Sequence, residues 1–337
     1  MDVTTIWAAI IALGLFMYVA LDGFDLGIGL IFPFFPDDGE RDLMISTIAP
    51  VWDGNETWLV LGGAALFAAF PVVYSIVLSA LYLPIVTMLV CLIFRGVSFE
   101  IREKATRTKN LWNLAFIAGS GGASFFQGVI LGAYLQGIPV AGTPAADGVF
   151  AGPSFFWLTP FSLLTGFGLM ATYALLGACW LIMKTEGDLQ HRLHEVVRPL
   201  TLVLLAFMVV VSIWTPLTDA KIAQRWFDSG LLHRLLPVPF LVVITTLFMF
   251  RALRRHHDNT PFLLALLLIL LGYIGLLVSI WPYAIPNVLT LQDAAAPRSS
   301  QLFTLVGAVI ILPIIIIYTT LGYHVFRGKS APGAKYH

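Results

Sequence analysis

Charged residues are scarce in this sequence. Of the 337 residues only 11% are Asp, Glu, Lys or Arg, whereas 58% are hydrophobic and the mean hydropathy is +0.88. Soluble domains carry roughly a quarter of charged residues, so this composition excludes an ordinary soluble protein and indicates a polytopic membrane protein. Basic and acidic residues balance at 19 each. The sequence therefore gives no electrostatic basis for binding nucleic acid.

Residues that build metal, haem or covalent sites are also scarce. Cys91 and Cys179 lie far apart in apolar runs and are interpreted as small buried hydrophobic residues. None of the seven histidines stands in the middle of a predicted span, so no axial haem ligand is expected from this chain. Two pairs of histidines are interpreted as solvated loop residues rather than metal ligands: His191 with His194, and His256 with His257. No phosphate-binding loop, nucleophile elbow or zinc motif is present.

Apolar runs long enough to cross a bilayer, about 20 residues each, occur at nine places. The predicted spans are about 6–32, 52–70, 73–94, 111–135, 155–183, 199–215, 236–251, 261–285 and 300–326. The first is expected to remain in the protein because no positively charged flank of a signal peptide precedes it. Residues 57–94 contain no charge but would run roughly 57 Å as one helix. The chain is therefore predicted to fold back at Phe70-Pro71, where proline ends a helix.

The basic residues predict the orientation. With nine alternating spans one side receives 15 of the 19 Lys and Arg residues. The other side receives only Lys221, Arg225, Arg234 and Arg298. The positive-inside rule then places the N-terminus in the periplasm and the C-terminus in the cytoplasm. Three segments outside the spans are predicted to be a neutral connector (136–154), a short interfacial helix (222–236) and a mobile cytoplasmic tail (330–337).

Four carboxylates stand inside or at the edge of apolar spans, where an ionised group is costly unless it faces a polar interior. Asp22 and Asp25 are three residues apart, as are Asp53 and Glu56, so each pair shares one helix face. The first predicted span descends from outside and the second begins at the cytoplasmic face. The four acids are therefore predicted to converge at one depth.

Two interpretations of these acids remain open on the sequence alone. In the structural one they cap helices or pair with Arg95 and Arg102. In the functional one they form a proton entry path, because carboxylates that are clustered in a medium of low dielectric constant have raised and coupled affinities for protons. Gly23 and Gly27 form a Gly-x-x-x-Gly that lets a neighbouring helix approach closely. The structural and ion-pair candidates are Arg95, Glu100, Arg102, Trp52, Gly23 and Gly27.

The same residues carry a family resemblance. The chain resembles subunit II of the cytochrome bd-type ubiquinol oxidases, including the cyanide-insensitive branch. The matching segments are Asp22–Gly29, Ile48–Trp58 with its Trp-Asp-Gly-Asn motif, Gly62–Pro71 and Phe94–Arg102. The resemblance is dense over about residues 18–102 and farther on rests mainly on the number and order of spans.

The resemblance implies a fold and a domain organisation. It implies an all-α membrane protein with nine transmembrane helices, arranged as two four-helix bundles plus a peripheral helix. Residues 1–329 would form one membrane domain. Its helices 1–4 would lie at about 6–135, helices 5–8 at about 155–285 and the ninth helix at about 300–326.

The resemblance also implies partners and an activity. In that family, subunit I carries all the haems, of types b and d, and the loop that oxidises quinol. This chain would be the non-haem subunit of a bacterial inner-membrane oxidase that reduces O₂ to water electrogenically. It would scaffold subunit I and contribute a cytoplasmic proton path that includes Asp53. Some members hold a structural quinone in subunit II, and a small single-helix accessory subunit is a further implied partner. No catalytic residue and no cofactor ligand is assigned to this chain itself.

A function of another class, a proton-coupled secondary transporter, would use the acids as a coupling-ion site at a broken helix. Breaks near the midplane in paired halves would favour the transporter. The acids occur near one face only, which favours an entry path.

Overall fold

The computed structural model describes residues 2–143, 148–218, 223–224 and 236–330, and these are almost entirely helical. The helices are α1 (Val3–Ile31), α2 (Asp38–Ser46), α3 (Trp52–Ala69), α4 (Pro71–Ala80), α5 (Tyr82–Lys104), α6 (Lys109–Leu135), α7 (Pro160–Lys184), α8 (Gly187–Thr218), α9 (Pro237–Arg254), α10 (Thr260–Ile280), α11 (Leu291–Ala294) and α12 (Arg298–Val325). Two antiparallel pairs accompany them: β1 (Val140–Ala141) with β2 (Val149–Phe150), and β3 (Tyr283–Ile285) with β4 (Leu289–Thr290).

Within these described ranges, eight helices are long and apolar enough to cross a membrane: α1, α5, α6, α7, α8, α9, α10 and α12. The predicted all-α membrane architecture is confirmed, but length and composition support eight spans rather than nine. The difference is α3, at the predicted span 52–70. It has 18 residues, and polar residues that include Asp53, Asn55 and Glu56 occupy its first turns.

The chain breaks at Phe70-Pro71 as predicted, because α3 ends at Ala69 and α4 starts at Pro71. The predicted third span, 73–94, is wrong in its bounds. A second break at Leu81 separates the short α4 from α5, which continues to Lys104. Pro84 explains this break, since it has no N–H to donate to the carbonyl of Ala80 four residues earlier.

Three other segments depart from the predicted spans. Helix α8 starts at Gly187, twelve residues before the predicted span at 199, and continues through Pro199. Helix α10 ends at Ile280, and the last residues of the predicted span 261–285 form β3 instead. Helix α2 was not predicted. The Asp37 carboxylate caps it by accepting a hydrogen bond from the Glu40 N–H at 3.0 Å.

Helix α1 lies at the centre of the structure. It packs against α3, α6, α7 and α12, while α6 packs between α5 and α7. The largest apolar core forms where α1 meets α7, and there Phe24 stacks on Trp180 with 4.1 Å between ring centroids. Helix α12 lies at the periphery, since Gln301 is its only buried residue. The residues that α1 contributes are thus enclosed by helices from both halves of the chain.

Two predicted segments fall almost wholly outside the described residues. They are the interfacial helix at 222–236 and the tail at 330–337.

Candidate functional site

Helices α1 and α7 touch backbone to backbone at the level of the α1 acids. A Cβ on Gly27 would lie 1.8 Å from the carbonyl oxygen of Tyr173, and one on Gly23 would lie 2.7 Å from the Tyr173 ring. Likewise, a Cβ on Gly177 of α7 would lie 2.6 Å from the carbonyl carbon of Gly27. The predicted close approach at Gly23 and Gly27 is confirmed. It encloses the segment of α1 that carries Asp22 and Asp25, both of which have 0% exposure.

Arg95 of α5 lies between two of the predicted acids. Its Nη1 is 2.7 Å from Oδ1 of Asp22, and its Nη2 is 2.5 Å from Oε1 of Glu56. The Arg95 side chain is fully buried, whereas that of Glu56 is 28% exposed. The close packing of α6 at Gly119, where a Cβ would be 2.8 Å from the Arg95 nitrogen, holds this part of α5 inside the bundle. A buried guanidinium of this kind requires nearby carboxylates, because an unpaired buried charge is strongly destabilising.

The second acid of α1, Asp25, has a neutral partner. Asn55 of α3 donates from Nδ2 to Oδ2 of Asp25 at 2.8 Å, and its Oδ1 accepts a hydrogen bond from the Tyr323 hydroxyl at 2.8 Å. Asn55 is 1% exposed, so the contact is buried. Helix α12 thereby reaches the cluster from the opposite end of the sequence.

A hydrogen-bonded chain continues from Asp22 into the bundle. Tyr18 stands one helical turn before Asp22 and interacts with its carboxylate. The Tyr18 hydroxyl accepts a hydrogen bond from Nε2 of Gln127 at 2.6 Å, and Oε1 of Gln127 accepts one from the Tyr173 hydroxyl at 2.8 Å. The polar groups thus connect α1, α6 and α7 within an apolar surround.

Several atoms of the cluster have no protein partner within the described residues. They are Oδ2 of Asp22, Oδ1 of Asp25 and Nε of Arg95. A buried polar atom without a partner is costly, and a carboxylate oxygen can lower that cost by carrying a proton. The arrangement therefore suits groups that exchange protons.

Asp53 lies one helical turn before Glu56 on α3 but does not join the other three acids in the buried cluster. Its side chain is exposed on α3 and takes part in no ion pair among the described residues. Because Asn55 and Glu56 face α1 and α5, the side chain at position 53 points away from these two helices. Trp52 beside it stacks on Phe99 at 5.1 Å and lies 5.7 Å from the Arg95 guanidinium.

Arg102 and Glu100 do not contact the acidic cluster. Arg102 forms an ion pair, as predicted, but with an acid outside the cluster. Arg102 lies two turns beyond Arg95 and binds Oδ1 of Asp42 and Oδ1 of Asn113, each at 2.6 Å. Asp42 belongs to α2, the helix absent from the sequence prediction. Glu100 is exposed and has no ion-pair partner in the described part of the chain.

The sequence did not single out Asn55, Tyr323 or Tyr18 as members of this cluster. Asn55 could have been found from the sequence, because it is a polar residue of the Trp-Asp-Gly-Asn motif at the start of an apolar span. Tyr323 is 268 residues from Asn55, and no local pattern could have paired them.

The sequence predicts that both histidine pairs are solvated loop residues, and for His191 and His194 this prediction is wrong. His191 and His194 lie on α8, and His194 is 4% exposed with its ring 5.1 Å from that of His256. Among the residues that the structure describes, no three His, Cys, Asp or Glu side chains are grouped as metal ligands.

Comparison with known proteins gives a consistent result. A family model described as cytochrome bd terminal oxidase subunit II matches residues 3–326. The cytochrome bd-I ubiquinol oxidase subunit 2 of Escherichia coli K12 is 29% identical, over 96% of this chain and 94% of its own length. The cytochrome bd ubiquinol oxidase subunit 2 of Bacillus subtilis is 29% identical, over 96% of each chain.

The fold agrees as well. A chain in the structure of bd oxidase from Geobacillus thermodenitrificans superposes with a TM-score of 0.77, covering 97% of this chain and 99% of the other at 19% identity. At that identity the likeness shows the fold alone, and the family model carries the assignment. This chain belongs to the cytochrome bd terminal oxidase subunit II family.

Proposed function

We propose that this chain is the haem-free subunit of a ubiquinol oxidase in the bacterial inner membrane. We further propose that it holds a haem-bearing subunit I in place and takes up cytoplasmic protons through its buried acidic cluster. Its family membership and the names of its E. coli and B. subtilis relatives support the first part. In such an enzyme subunit I would hold the haems b and d, which would supply electron transfer from quinol to O₂, and the reduction of O₂ to water would consume protons. The steps assigned to this chain are those of its own side chains.

Helix α3 is assigned as a ninth crossing. At one end Trp52 stacks on Phe99 near the end of α5, and at the other the Ala69 carbonyl accepts a hydrogen bond from the Ala296 N–H at 2.8 Å, just before α12. Its 18 residues extend roughly 27 Å, close to the thickness of the hydrocarbon core. Asn55 and Glu56 face other helices rather than lipid. Nine crossings put the two termini on opposite sides, with most of the basic residues in the cytoplasm.

The single observation that carries the proton path is the sequence of burial from Glu56 to Asp22. Glu56 is 28% exposed, Arg95 links it to Asp22, and Asp22 is fully buried. Arg95 pairs with two carboxylates. A third, Asp25, lies one helical turn from Asp22 and has the neutral Asn55 as its partner. Ionising all three would leave uncompensated negative charge in a medium of low dielectric, so the cluster favours holding a proton. Arg95 keeps its own proton at any physiological pH and acts as a fixed counter-charge.

The three acids take different roles. Glu56 is the entry group because it alone among them reaches the surface. Asp22 is held by Arg95 and passes protons toward Tyr18. Asp25 is the principal exchanging acid, because its partner is the neutral Asn55 amide and its second oxygen has no protein donor among the described residues. The Tyr18–Gln127–Tyr173 chain leads onward.

The proton role is tested by quinol-oxidase turnover of the purified complex carrying Glu56→Gln or Asp25→Asn. We expect turnover to fall by about tenfold or more while the haem content stays unchanged. A positioned acid–base group typically contributes about a hundredfold or more to the rate. Asp188→Asn is the matched control, because Asp188 is an exposed acid in the first turn of α8 with no ion pair in the described ranges. Full turnover in both test variants would remove the proton role and leave the family assignment intact.

The scaffolding role is supported by an exposed strip of small residues on α3. A Cβ on Gly63 would meet no atom within 4 Å, and Ala64 beside it is exposed as well. Helices in lipid associate through close packing rather than hydrophobicity, so such a strip suits a partner helix.

Gly63→Leu tests this docking surface, because it leaves the packing inside this chain untouched. We expect it to lower the amount of haem-containing complex recovered from membranes. Gly307→Leu, at an equally open position on the peripheral α12, is the control. Equal recovery of all three proteins would place the partner on another face.

The secondary-transporter alternative is not favoured. The whole-chain family match argues against it, and the acids are gathered at one end of α1 and α3, beside Arg95 of α5, rather than at paired helix breaks.

A further inference from the structure

Helix α9 ends in a group of arginines that border a cleft outside the acidic cluster. The cleft measures about 340 Å³ and is lined by Leu247, Phe250, Arg251, Arg254 and Arg255. The first four recur at spacings of three and four residues, so they lie on one face of α9. Arg255 follows as the cap of the helix.

These arginines differ from the others at this end of the molecule. Arg95 and Arg102 are each paired with carboxylates, whereas Arg251, Arg254 and Arg255 are exposed and form no ion pair within the described residues. The acid nearest to them in sequence, Asp258, is already bound by Lys329 at 2.7 Å. Because a helix C-terminus carries partial negative charge, only the side chains could attract an anion here. Their charge is therefore available to an anion from outside the chain.

The order of residues along α9 indicates the kind of anion. Charged groups occupy its last turn, and apolar side chains occupy the turns below, where Leu247 is 65% exposed. One helical turn, roughly 5.4 Å, separates Leu247 from Arg251. A phospholipid has the same order, a phosphate at the interface and an acyl chain beneath it. Inorganic phosphate would leave the apolar wall without a contact.

We propose that this cleft binds an anionic phospholipid, with the phosphate held by Arg251, Arg254 and Arg255 and an acyl chain lying along Leu247 and Phe250. Arginine suits this role because its planar guanidinium donates two parallel hydrogen bonds to a phosphate. Basic clusters where a membrane helix ends are general sites for anionic headgroups. The proposal is independent of the proton path, since none of its residues contacts the acidic cluster.

The test is native mass spectrometry of the purified complex with added phosphatidylglycerol or phosphatidylcholine of identical acyl chains. Wild type is expected to bind phosphatidylglycerol preferentially. The double variant Arg251→Gln/Arg254→Gln is expected to lose roughly 25-fold in affinity, from a roughly fivefold loss for each charge near the surface. Lys104→Gln/Arg107→Gln is the matched control. It removes two exposed charges that form no ion pair in the described residues, at the same predicted face of the membrane.

Two further arms separate the sources of the binding. Leu247→Gln is expected to weaken phosphatidylglycerol binding while leaving the charges in place, and inorganic phosphate is expected not to displace the lipid. Equal loss in the control variant, equal binding of both lipids by wild type, or displacement by inorganic phosphate would overturn the proposal. Should the double variant not assemble, the single variants Arg254→Gln and Leu247→Gln decide in the same way.

Discussion

Arg95 and Arg102 stand two turns apart on the same face of α5, and both are buried, yet their surroundings differ. Arg95 binds Asp22, which is fully buried, and Glu56. Arg102 binds Asp42, whose side chain is 52% exposed, and its other partner is the neutral Asn113. The site around Arg95 therefore contains more acids than bases. At the site around Arg102 one acid has two basic partners instead, because Lys109 also pairs with Asp42, at 3.1 Å.

The burial of the carboxylate partner, rather than the arginine itself, decides what each of the two sites does. Enclosed charges interact strongly and are poorly screened by salt, which is why we propose that the excess of acids there holds exchangeable protons. Charges at the rim are hydrated and screened, and they mainly tie α2 to α5 and α6.

The largest effect is expected from Arg95→Gln. It leaves Asp22 and Glu56 without their counter-charge, which costs about 3–5 kcal/mol for a buried pair. We expect a lower melting temperature of the complex and little haem recovered with it. Arg95→Lys should restore only part of the loss, because a lysine cannot reproduce the two-sided contact. An unchanged melting temperature in Arg95→Gln would mean that the acids do not need this charge.

Gly27→Ala should come next. The added Cβ would overlap the Tyr173 carbonyl, so α1 and α7 must move apart at the level of the acids. Overpacking of this kind costs about 1–3 kcal/mol. Thermal unfolding of the complex measures it, with Gly63→Ala as the control in open space. Equal melting of both variants would contradict the tight contact that encloses the cluster.

Arg102→Gln should have a smaller effect, about 1–2 kcal/mol, since it removes hydrogen bonds but leaves Asp42 free to be hydrated. The difference in melting temperature from wild type should shrink as salt is added, because the exposed Asp42 is screened. The difference caused by Arg95→Gln should not shrink in this way. An Arg102 effect as large and as salt-insensitive as that of Arg95 would remove the distinction between the two sites.

Asp53→Asn should have the smallest effect on stability, within about 0.5 kcal/mol, as for other exposed positions. Its turnover should fall less than that of Glu56→Gln, because Asp53 stands outside the cluster and can only supply protons to it. Steady-state quinol oxidation and melting of the same samples measure both quantities. A larger loss of turnover in Asp53→Asn than in Glu56→Gln would make Asp53 the entry group.

The sequence predicted much of the site, because its main features are local. Acids spaced three apart on apolar helices, and the Gly-x-x-x-Gly that overlaps the first pair, indicate enclosure whatever the tertiary fold. Asp53 was misplaced because the facing of a helix's first turn depends on its neighbours. Tyr323 and α2 were missed because one acts across 268 residues and the other is a short polar helix between spans.

The same limit applies to the spans. The order of the spans follows from hydropathy, but the predicted count of nine exceeds the eight long apolar helices of the described residues. The break at Leu81 and the early start of α8 depend on how single prolines are accommodated. Pro84 breaks a helix, whereas Pro199 lies inside one. Hydropathy does not distinguish the two.

The most direct test of the account is proton uptake by the reduced complex during a single turnover with O₂, followed with a pH-sensitive dye. We expect Asp25→Asn to slow proton uptake by about tenfold or more, because it removes the acid whose partner is neutral. The haem spectrum and melting temperature should stay those of wild type. Uptake at the wild-type rate in a fully assembled Asp25→Asn complex would contradict the claim that the buried acids of this subunit carry protons.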